Sequence, residues 1–354
     1  MARPINTCVL GVGLAGLTFH VPFILALPHL FTLHSVLERN PRTDGGKVQE
    51  RFGFTPKIYR SIEQVLADPE IDLVIIGTPN NTHYEFAKAA LNAGKHGKSF
   101  TFRLWRWDSD FLALKRLLAL PETSPHSIGH ILEVESHFDR YRKGLKGTWK
   151  DEPLPAAGIT YDLGAHLIDQ ALHLFGQPTR VTGFKDNIRR IGNLGVDDCF
   201  TLYMHYAPND TRPHPLTIIL RSHPLSVKSP QLRFLVRGTK GTFTKYGVDV
   251  QEDQLKVISS PKAILEDQFG MEPDYLWGTV EKIEADDLTV TKSTWPSTDA
   301  GAYVELFQNL AGSIRNEEEP LVKWEEAMNV IGMIELVHRS ATEGSTIVVA
   351  QGSM

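Results

Sequence analysis

Short apolar runs alternate with amphipathic stretches along the first hundred residues. The runs at residues 7–10, 31–37 and 73–76 have the length and composition of strands buried in a sheet. Residues 61–64 form a capping-box pattern that opens a helix, and residues 83–93 are amphipathic and end at a glycine. Because parallel neighbouring strands need crossover connections, this alternation predicts an α/β fold with a doubly wound parallel sheet.

Beyond residue 107 the pattern changes to separate groups of strands and helices. Helices are predicted at residues 109–120, 162–175, 302–315 and 325–340. Strands with a period of two are predicted at residues 131–138, 200–206, 216–221 and 232–236, with a hairpin turn at 238–241 leading into 242–246. The chain is therefore expected to divide into residues 1–106 and residues 107–354, the second forming an α+β domain around an antiparallel or mixed sheet.

Composition narrows the class of protein. The 354 residues are 42% hydrophobic and 22% charged, which excludes a disordered or fibrous chain. A net charge of −5 excludes a strongly basic surface, so no nucleic-acid partner is expected. The two cysteines, Cys8 and Cys199, are too few for a disulfide framework or a cysteine-ligated zinc site.

One stretch, residues 4–37, contains no Asp, Glu, Lys or Arg, which is typical of a membrane span or a signal peptide. Histidines, prolines and closely spaced glycines interrupt it, however. A buried strand, a glycine turn, a helix and a second strand explain the same residues better. No membrane partner is expected, and the protein is predicted to be cytoplasmic.

The glycine turn carries a dinucleotide-binding pattern. Gly11-Val12-Gly13-Leu14-Ala15-Gly16 has the spacing G-x-G-x-x-G between a predicted strand and a predicted helix. The first glycine permits a tight turn, the second lets a pyrophosphate approach the backbone, and the third lets helix and strand pack closely. Free amides at the start of the helix then face the phosphates. The turn predicts a Rossmann-type cofactor site.

The end of the second predicted strand bears on the choice of cofactor. Glu38 lies 22 residues beyond Gly16, where an acidic side chain accepts hydrogen bonds from the adenosine ribose. Its charge would repel a 2′-phosphate, which favours NAD. Arg39 acts in the opposite sense if it turns toward that phosphate, and its alternative is a solvated surface position. The cofactor is therefore NAD or NADP, with NAD slightly favoured.

A loop follows the predicted strand at 73–76 directly. In an open α/β sheet, loops at the carboxyl ends of strands line the ligand crevice. Thr78, Pro79, Asn81 and His83 are accordingly expected to bind the cofactor. The alternative is an ordinary turn in which Thr82 caps the next helix.

A stripe of polar residues lies on the predicted helix at 162–175. Asp162, His166, Asp169 and His173 are spaced by four, three and four residues, which places them on one helical face. A carboxylate one turn from an imidazole can fix its tautomer and tune its basicity. The same stripe is compatible with metal binding or with a polar face that meets solvent.

Several stretches together resemble one family, the Gfo/Idh/MocA oxidoreductases (glucose–fructose oxidoreductase and inositol dehydrogenase). The resemblance covers nearly the whole chain and is closest to the scyllo-inositol dehydrogenase-like branch. The sequences that carry it are GVGLAG followed by FHVPFI, GTPNNTHYEFAKAALNAGKH, RWDSDFLALKRLL, AAGITYDLGAHLIDQALHLFG, VDD at 196–198 and GTKGTFTKYGVDVQE. The DLGAHLID match is the most specific of them.

The resemblance implies a Rossmann domain followed by an α+β domain with an open, mostly antiparallel sheet, often dimeric through that sheet. It implies NAD(P)-dependent hydride transfer at a secondary hydroxyl or carbonyl of a sugar or polyol, without a metal. His166 then becomes the proton acceptor, and Asp162 its partner or a ligand of a substrate hydroxyl. Arg106, Tyr141 and Asp198 are expected to line the substrate pocket, with purely structural roles as the alternative.

The chain departs from the family after His96. Members normally continue with a strand carrying Glu-Lys-Pro, whose lysine reaches the nicotinamide and the reacting hydroxyl. Here that segment is absent, and the interval before Trp107 is short by about 25–30 residues, or one strand–helix step. Leu104 also stands where relatives carry a polar residue, and the catalytic role does not transfer to Lys95 or Lys98.

Three explanations of this departure remain open. Coding sequence is missing through splicing or a gene-model error, or the chain is a shortened paralogue that binds dinucleotide but is a poor enzyme. In the third explanation, residues 99–104 replace the missing strand, and His166 is sufficient for catalysis without the lysine. If nothing replaces the lysine, the adenine end of the cofactor binds normally while the nicotinamide adds little affinity and turnover is weak.

Overall fold

A computed structural model describes residues 2–98 and 104–350, which form two compact units. The first unit lies within Met1–Leu104, Val250–Gly270 and Gly301–Leu321, and the second within Trp105–Asp249, Met271–Ala300 and Val322–Met354. The expected division after residue 106 falls two residues from the first break, and two later segments return to the first unit. One of the three explanations takes residues 99–104 as a replacement strand, and all of that segment except Leu104 lies outside the described residues.

Fourteen strands are described in residues 2–98 and 104–350. They are β1 (Ile5–Leu10), β2 (Phe31–Leu37), β3 (Lys57–Tyr59), β4 (Leu73–Ile76), β5 (His96–Lys98), β6 (Ile131–His137), β7 (Arg180–Asp186), β8 (Cys199–Tyr206), β9 (Leu216–Ser222), β10 (Leu232–Gly238), β11 (Gly241–Tyr246), β12 (Gly278–Ile283), β13 (Val290–Trp295) and β14 (Ile347–Val348).

The α-helices of the same residues follow this order along the chain. They are α1 (Val21–Ala26), α2 (Gly46–Phe52), α3 (Ile62–Ala67), α4 (His83–Asn92), α5 (Ser109–Leu118), α6 (Ala165–Phe175), α7 (Gln251–Val257), α8 (Tyr303–Ile314) and α9 (Trp324–Glu343). Two π-helical segments, Ala15–His20 and Thr160–Gly164, lead directly into α1 and α6.

The first unit is built on a parallel sheet in the order β3-β2-β1-β4-β5. Strand β4 is fully buried, and so is most of β1, because helices cover both faces of the sheet. The predicted doubly wound fold is confirmed. The predicted start of α3 is also right, with Ser61 as its N-cap. The reciprocal capping box does not form, since Gln64 Oε1 accepts from the Arg60 amide at 2.8 Å.

Aromatic packing explains why residues 301–321 belong to the first unit. Phe307 of α8 stacks on Phe23 of α1, with ring centroids 4.7 Å apart and planes 6° from parallel. Tyr303 packs against the same ring at 6.5 Å. All three aromatic side chains are buried. A boundary drawn from local sequence pattern does not detect this contact, because it joins residues almost 300 positions apart.

The second unit is built on a nine-stranded sheet in the order β13-β12-β11-β10-β6-β9-β8-β7-β14. Among the described strands of this second sheet, only β6 and β9 pair in parallel. Every second residue of β8 and of β9 is buried, because one face of the sheet carries α6 and α9. The predicted α+β domain with an open, mostly antiparallel sheet is confirmed, as is the hairpin that joins β10 to β11.

The charge-free stretch at residues 4–37 forms β1, a π-helical segment, α1 and β2. Across residues 2–98 and 104–350, none of the helices combines the length and the apolar character that crossing a bilayer requires.

Candidate dinucleotide and substrate sites

The three glycines of the turn occupy different environments. Gly11 has φ of 91°, and a Cβ there would lie 3.0 Å from the carbonyl oxygen of Gly77. A Cβ on Gly16 would lie 2.0 Å from the carbonyl oxygen of Gly11, closer than any side chain can pack. A Cβ on Gly13, by contrast, would meet nothing within 4 Å. Two glycines are therefore required by the fold, whereas Gly13 leaves an open surface that a pyrophosphate can approach.

The segment after the turn begins as a π-helix rather than as the expected α-helix. Its first residue is Ala15, and the preceding Leu14 is 61% exposed. The amide of Leu17 donates to the carbonyl of Gly13 at 3.0 Å, which places a helical start beside the open glycine. Single π-helical segments are rare and occur often at functional sites.

Glu38 is buried at the end of β2, with 5% of its surface exposed. Its Oε2 accepts from the amide of Lys47 at 3.1 Å, while its Oε1 is buried and makes no hydrogen bond within the described part of the chain. A Cβ on Gly46 would lie 2.3 Å from Oε2, so the glycine is needed for this close approach. A buried carboxylate with an unused acceptor fits the ribose hydroxyl that the sequence assigns to it.

Arg39 lies on the surface directly after Glu38. Its carbonyl accepts from Nη1 of Arg60 at 3.1 Å, which brings a second exposed guanidinium to the same strand end. The structure thus places one buried carboxylate and two exposed cations near the expected ribose site.

The loop after β4 lies against the glycine turn. Gly77 donates to the Leu10 carbonyl at 2.8 Å, so the carboxyl ends of β1 and β4 are held together as expected. Thr78 Oγ1 and Thr82 Oγ1 are 2.6 Å apart, and His83 Nε2 lies 2.8 Å from the Thr78 carbonyl. Burial lowers the pKa of His83, although this contact opposes the shift.

Thr82 occupies the N-cap position of α4, but its hydroxyl does not cap the helix. It donates instead to the carbonyl of Pro79 at 2.7 Å and closes the short turn Asn80–Thr82. Asn81 is exposed on this turn. The loop is therefore fixed internally, and the four residues predicted to bind the cofactor lie within one short segment.

His166 lies in the first turn of α6, in the second unit. Its ring stacks on Trp105 with centroids 4.0 Å apart, and Trp105 stacks in turn on Phe138 at 4.6 Å. The guanidinium of Arg233 lies 5.7 Å from the centroid of the same tryptophan. Stacking holds the imidazole in a fixed orientation while the residue stays half-buried.

The described hydrogen bonds of Asp162 come from two lysines, and its partnership with His166 stays a prediction. Its carboxylate accepts from Lys146 Nζ at 3.1 Å and from Lys150 Nζ at 2.5 Å. Burial alone would raise the pKa of this carboxyl, but Lys150 and Lys146 lower it to about 2. Asp162 lies in the π-helical segment Thr160–Gly164, which does not keep the α-helical register that an offset of four residues assumes.

The polar stripe breaks again at Asp169. This carboxylate is buried and accepts two bonds of 2.7 Å from Nε and Nη2 of Arg106, whose Nη1 also donates to Glu326 at 3.2 Å. Arg106 is itself 5% exposed. Carboxylates engage both edges of the Arg106 guanidinium, which favours the structural alternative for this residue over a place in the pocket wall. The last member, His173, lies beside the ring of Phe111.

The other two expected pocket residues have different surroundings. Tyr141 is 59% exposed and forms an isolated bridge with Leu225. Asp198 is buried and accepts from Arg189 Nε at 2.7 Å and from the amide of Ile188 at 2.8 Å. Its carboxylate therefore anchors the segment that carries Ile188 and Arg189, which favours the structural alternative for this residue.

Sequence reasoning missed Trp105, Lys146 and Lys150. The lysines lie in the segment 143–151, where Thr148 and Asp151 form a capping box around the turn Trp149–Asp151. That capping pattern was a usable signal for an ordered turn. The contact of the two lysines with Asp162 could not be predicted, since 12 to 16 residues separate the partners. Lys95, which received no catalytic role, is buried and donates to the carbonyls of Asp68 and Ile71.

One group of potential metal ligands occurs in residues 2–98 and 104–350, formed by His34, Asp68 and Glu70. Asp68 also accepts from Lys57 at 3.2 Å and from the hydroxyl of Tyr59. Burial of the Asp68 carboxyl opposes its ionisation, but these donors lower its pKa well below the usual range. An ammonium group already neutralises this carboxylate, so the group is best described as an ion-pair network.

Two family profiles match the chain. The profile described as "Oxidoreductase family, NAD-binding Rossmann fold" matches residues 5–97. The profile described as "Oxidoreductase family, C-terminal alpha/beta domain" matches residues 124–349. The Rossmann match ends at the point where the sequence departs from its family.

Curated relatives match over nearly their whole length. An uncharacterised oxidoreductase of Schizosaccharomyces pombe is 35% identical, covering 97% of this chain and 98% of that protein. The alignment runs over 376 positions, so at least 22 positions (376 − 354) have no counterpart in this chain. This agrees in direction with the segment expected to be missing after His96.

A named enzyme and a solved structure support the same assignment. The scyllo-inositol 2-dehydrogenase (NADP+) IolW of Bacillus subtilis is 30% identical, covering 97% of this chain and 95% of that enzyme. The structure of an oxidoreductase of Yersinia pestis superposes with a TM-score of 0.83 at 31% identity, covering 100% of this chain and 99% of that chain. The chain therefore belongs to the Gfo/Idh/MocA family of oxidoreductases with an NAD(P)-binding Rossmann domain.

Proposed function

We propose that this protein transfers a hydride between a nicotinamide dinucleotide and a secondary hydroxyl or carbonyl of a sugar or cyclitol. The observation that carries the proposal is the glycine turn, in which Gly11 and Gly16 have no room for a side chain while Gly13 faces open space. This arrangement suits a pyrophosphate at the backbone. The substrate class rests on two relatives named as a scyllo-inositol 2-dehydrogenase and a D-xylose 1-dehydrogenase.

The residues of the first unit fit the cofactor. Gly11, Gly13, Leu14, Ala15 and Gly16 would hold the pyrophosphate, and Glu38 would accept from the ribose through its unused Oε1. The loop residues Thr78, Pro79, Asn81 and His83 would line the nicotinamide side of the crevice. When bound, the cofactor supplies a hydride acceptor or donor.

The residues of the second unit supply the proton chemistry. His166 takes the hydroxyl proton when the substrate is oxidised, and its ring is held for that role by the stack on Trp105. Asp162 is proposed as a ligand of a substrate hydroxyl or as an indirect partner of His166. Its carboxylate stays ionised at neutral pH because two lysines hold its pKa at about 2.

The preference between NAD and NADP follows from the ribose site. The buried Glu38 carboxylate accepts from a 2′-hydroxyl but repels a 2′-phosphate, so we propose a modest preference for NAD. The exposed Arg39 and Arg60 act in the opposite sense. The two relatives named above carry NADP+ in their names, so the preference proposed here differs from theirs.

Assembly and location follow from the same reasoning. We propose a homodimer that buries the face of the nine-stranded sheet opposite its helices, where alternate residues of β8 stay partly exposed. Charge and cysteine content favour a cytoplasmic protein without a nucleic-acid partner. Light scattering of the purified chain tests the dimer.

A second candidate is a non-catalytic dinucleotide-binding protein that regulates or binds a partner. The Rossmann profile ending at residue 97 favours it, because the family's Glu-Lys-Pro segment would follow there. Both candidates predict cofactor binding, so only turnover separates them.

The test measures binding and turnover on the full chain. Fluorescence titration gives the affinities for ADP-ribose, NADH and NADPH, and formation of reduced nicotinamide gives the rate with scyllo-inositol and with D-xylose. Turnover with either scyllo-inositol or D-xylose supports the proposal. Tight binding of ADP-ribose without turnover, restored when a Glu-Lys-Pro segment is inserted after His96, would instead establish the non-catalytic protein.

A further inference from the structure

Two ammonium groups converge on one carboxylate beside the start of α6. Lys146 Nζ and Lys150 Nζ lie 3.1 and 2.5 Å from different oxygens of Asp162. All three side chains are partly buried, with between 22% and 30% of each side chain exposed. Asp162 lies in the π-helical segment that leads directly into α6, and the first turn of α6 carries the proposed proton acceptor His166.

The segment that carries these lysines is built to hold one conformation. Thr148 accepts from the amide of Lys150 while Asp151 accepts from the amide of Thr148, which fixes the short turn at 149–151. On the other side of Lys146, the carbonyl of Gly144 accepts from Arg189 Nη1 at 2.7 Å. Asp198 in turn holds Arg189. The buried Asp198 carboxylate thus helps to hold the segment that carries Lys146.

The charges of the cluster do not cancel. Two lysines face one carboxylate, so a positive charge remains. Lys150 makes the shorter bond to Asp162 and also lies 5.7 Å from the centroid of the Trp149 ring. Lys146 makes one hydrogen bond, at 3.1 Å, among the described residues. Since an ammonium group has three donors, Lys146 has two left for a ligand.

We propose that Lys146 donates a hydrogen bond to the reacting oxygen of the polyol and supplies the cation that the missing Glu-Lys-Pro segment no longer provides. This inference rests on the proposed function. It assigns a substrate-binding role to a residue outside every motif identified in the sequence.

The step balances without any further reactant. During oxidation His166 accepts the hydroxyl proton, and a bound oxidised nicotinamide would take the hydrogen of the same carbon with its electron pair. The carbon–oxygen single bond becomes a carbonyl. Lys146 remains protonated throughout and stabilises the negative charge that develops on the oxygen as its proton departs.

The electrostatics of the cluster agree with this role. Burial lowers the pKa of Lys146, and the positive charges of Lys150 and Arg140 act in the same direction, while Asp162 opposes them. A lysine in such surroundings gains more from a developing negative charge than a fully solvated one does.

The kinetic test compares Lys146→Met with Lys146→Arg, Lys150→Met and Lys143→Met, the last being an exposed lysine of the same segment. Lys146→Met is expected to lower kcat by about 100-fold, the usual cost of losing one such donor, with cofactor affinity unchanged. Lys146→Arg should stay within about 10-fold of the parent, and its kcat should persist to higher pH than that of the parent. Lys143→Met should match the parent.

A purely structural ion pair predicts a different result. Lys146→Met and Lys150→Met would then lower the melting temperature and kcat to similar extents and leave the pH profile of kcat unchanged. Equal kcat values for the two variants, or for Lys146→Met and Lys143→Met, would overturn the proposal.

A second measurement does not depend on turnover. Acetic anhydride labels lysines in proportion to their access, and mass spectrometry reports each site separately. Scyllo-inositol with NADH present is expected to slow the labelling of Lys146 several-fold and to leave Lys143 unchanged. Unaltered labelling of Lys146 would overturn the proposal. If the parent chain shows no turnover although Lys146 is protected, the proposed function fails while the lysine's role as a polyol ligand stands.

Discussion

The glycine turn of the first unit and the charged cluster of the second are both short motifs, yet they differ in how they are specified. In the turn, Gly11 and Gly16 determine the geometry through their own backbone contacts, and Gly13 leaves open space between them. In the cluster, Asp162 and His166 lie four residues apart but take their contacts from Lys146, Lys150 and Trp105. Backbone motifs can therefore be identified from spacing alone, whereas side-chain networks depend on which distant segments the fold brings together.

The largest expected effect tests the second region. His166→Asn should lower kcat by about 10²–10⁴-fold, the usual contribution of a positioned general base, with little change in cofactor affinity. His173→Asn, on the same helix but beside Phe111, is the matched control and should keep most of the activity. Steady-state rates and a fluorescence titration give both quantities. Similar kcat values for the two variants would remove His166 from the mechanism.

The next prediction separates the roles within the glycine turn. Gly13→Val should weaken cofactor binding by about 100-fold, because the new side chain fills the space that the pyrophosphate needs, while the melting temperature stays unchanged. Gly16→Ala should instead lower the free energy of unfolding by about 1–3 kcal/mol, since its Cβ overlaps the carbonyl of Gly11.

Thermal unfolding and cofactor titration of both glycine variants give the required comparison. If Gly13→Val unfolds as readily as Gly16→Ala, the open space beside Gly13 is not a ligand site but a structural requirement. The glycine spacing would then not be sufficient to identify a ligand site in the turn.

Much of the fold was accessible from the sequence for the same reason. Strands β2 and β4 have the predicted bounds, because β4 is a continuous apolar run and β2 carries apolar residues at positions 31, 33, 36 and 37. The π-helical segments and the pairing of Arg106 with Asp169 were not accessible. A π-helix depends on hydrogen-bond geometry that composition does not specify. Arg106 and Asp169 lie 63 positions apart in the sequence. The return of residues 301–321 to the first unit has a similar cause.

A third prediction concerns pH and the buried His20, which ends the π-helical segment of the first unit. Burial lowers the pKa of His20 to about 4, below the 6.5 of an exposed histidine. The unfolded chain therefore binds more protons between these values, and stability contributed by neutral His20 is lost as the pH falls from 6.5 toward 4. At pH 5 the loss should be about 2 kcal/mol relative to pH 7.

Urea unfolding at both pH values measures this difference. The parent chain should lose about 2 kcal/mol more between pH 7 and pH 5 than His20→Asn does, whereas the exposed control His29→Asn should behave like the parent. An identical pH dependence for all three proteins would show that protonation of His20 does not lower the free energy of unfolding and that His20 is not shielded from solvent.

The smallest expected effect concerns the ribose site, where the buried and exposed charges compete. Glu38→Ser should shift the ratio of NAD to NADP affinity toward NADP by about 10-fold, because a single charge near a phosphate contributes about 1.4 kcal/mol at a partly solvated site. Asp44→Ser removes an exposed negative charge from the following loop and should leave the ratio unchanged. Arg39→Met should shift the ratio toward NAD only if this guanidinium contacts the phosphate. If the parent already binds NADP more tightly and Arg39→Met abolishes that preference, the exposed arginine determines specificity and the carboxylate does not. Cofactor preference would then depend on the orientation of the Arg39 side chain, which the pattern of strands and turns does not determine.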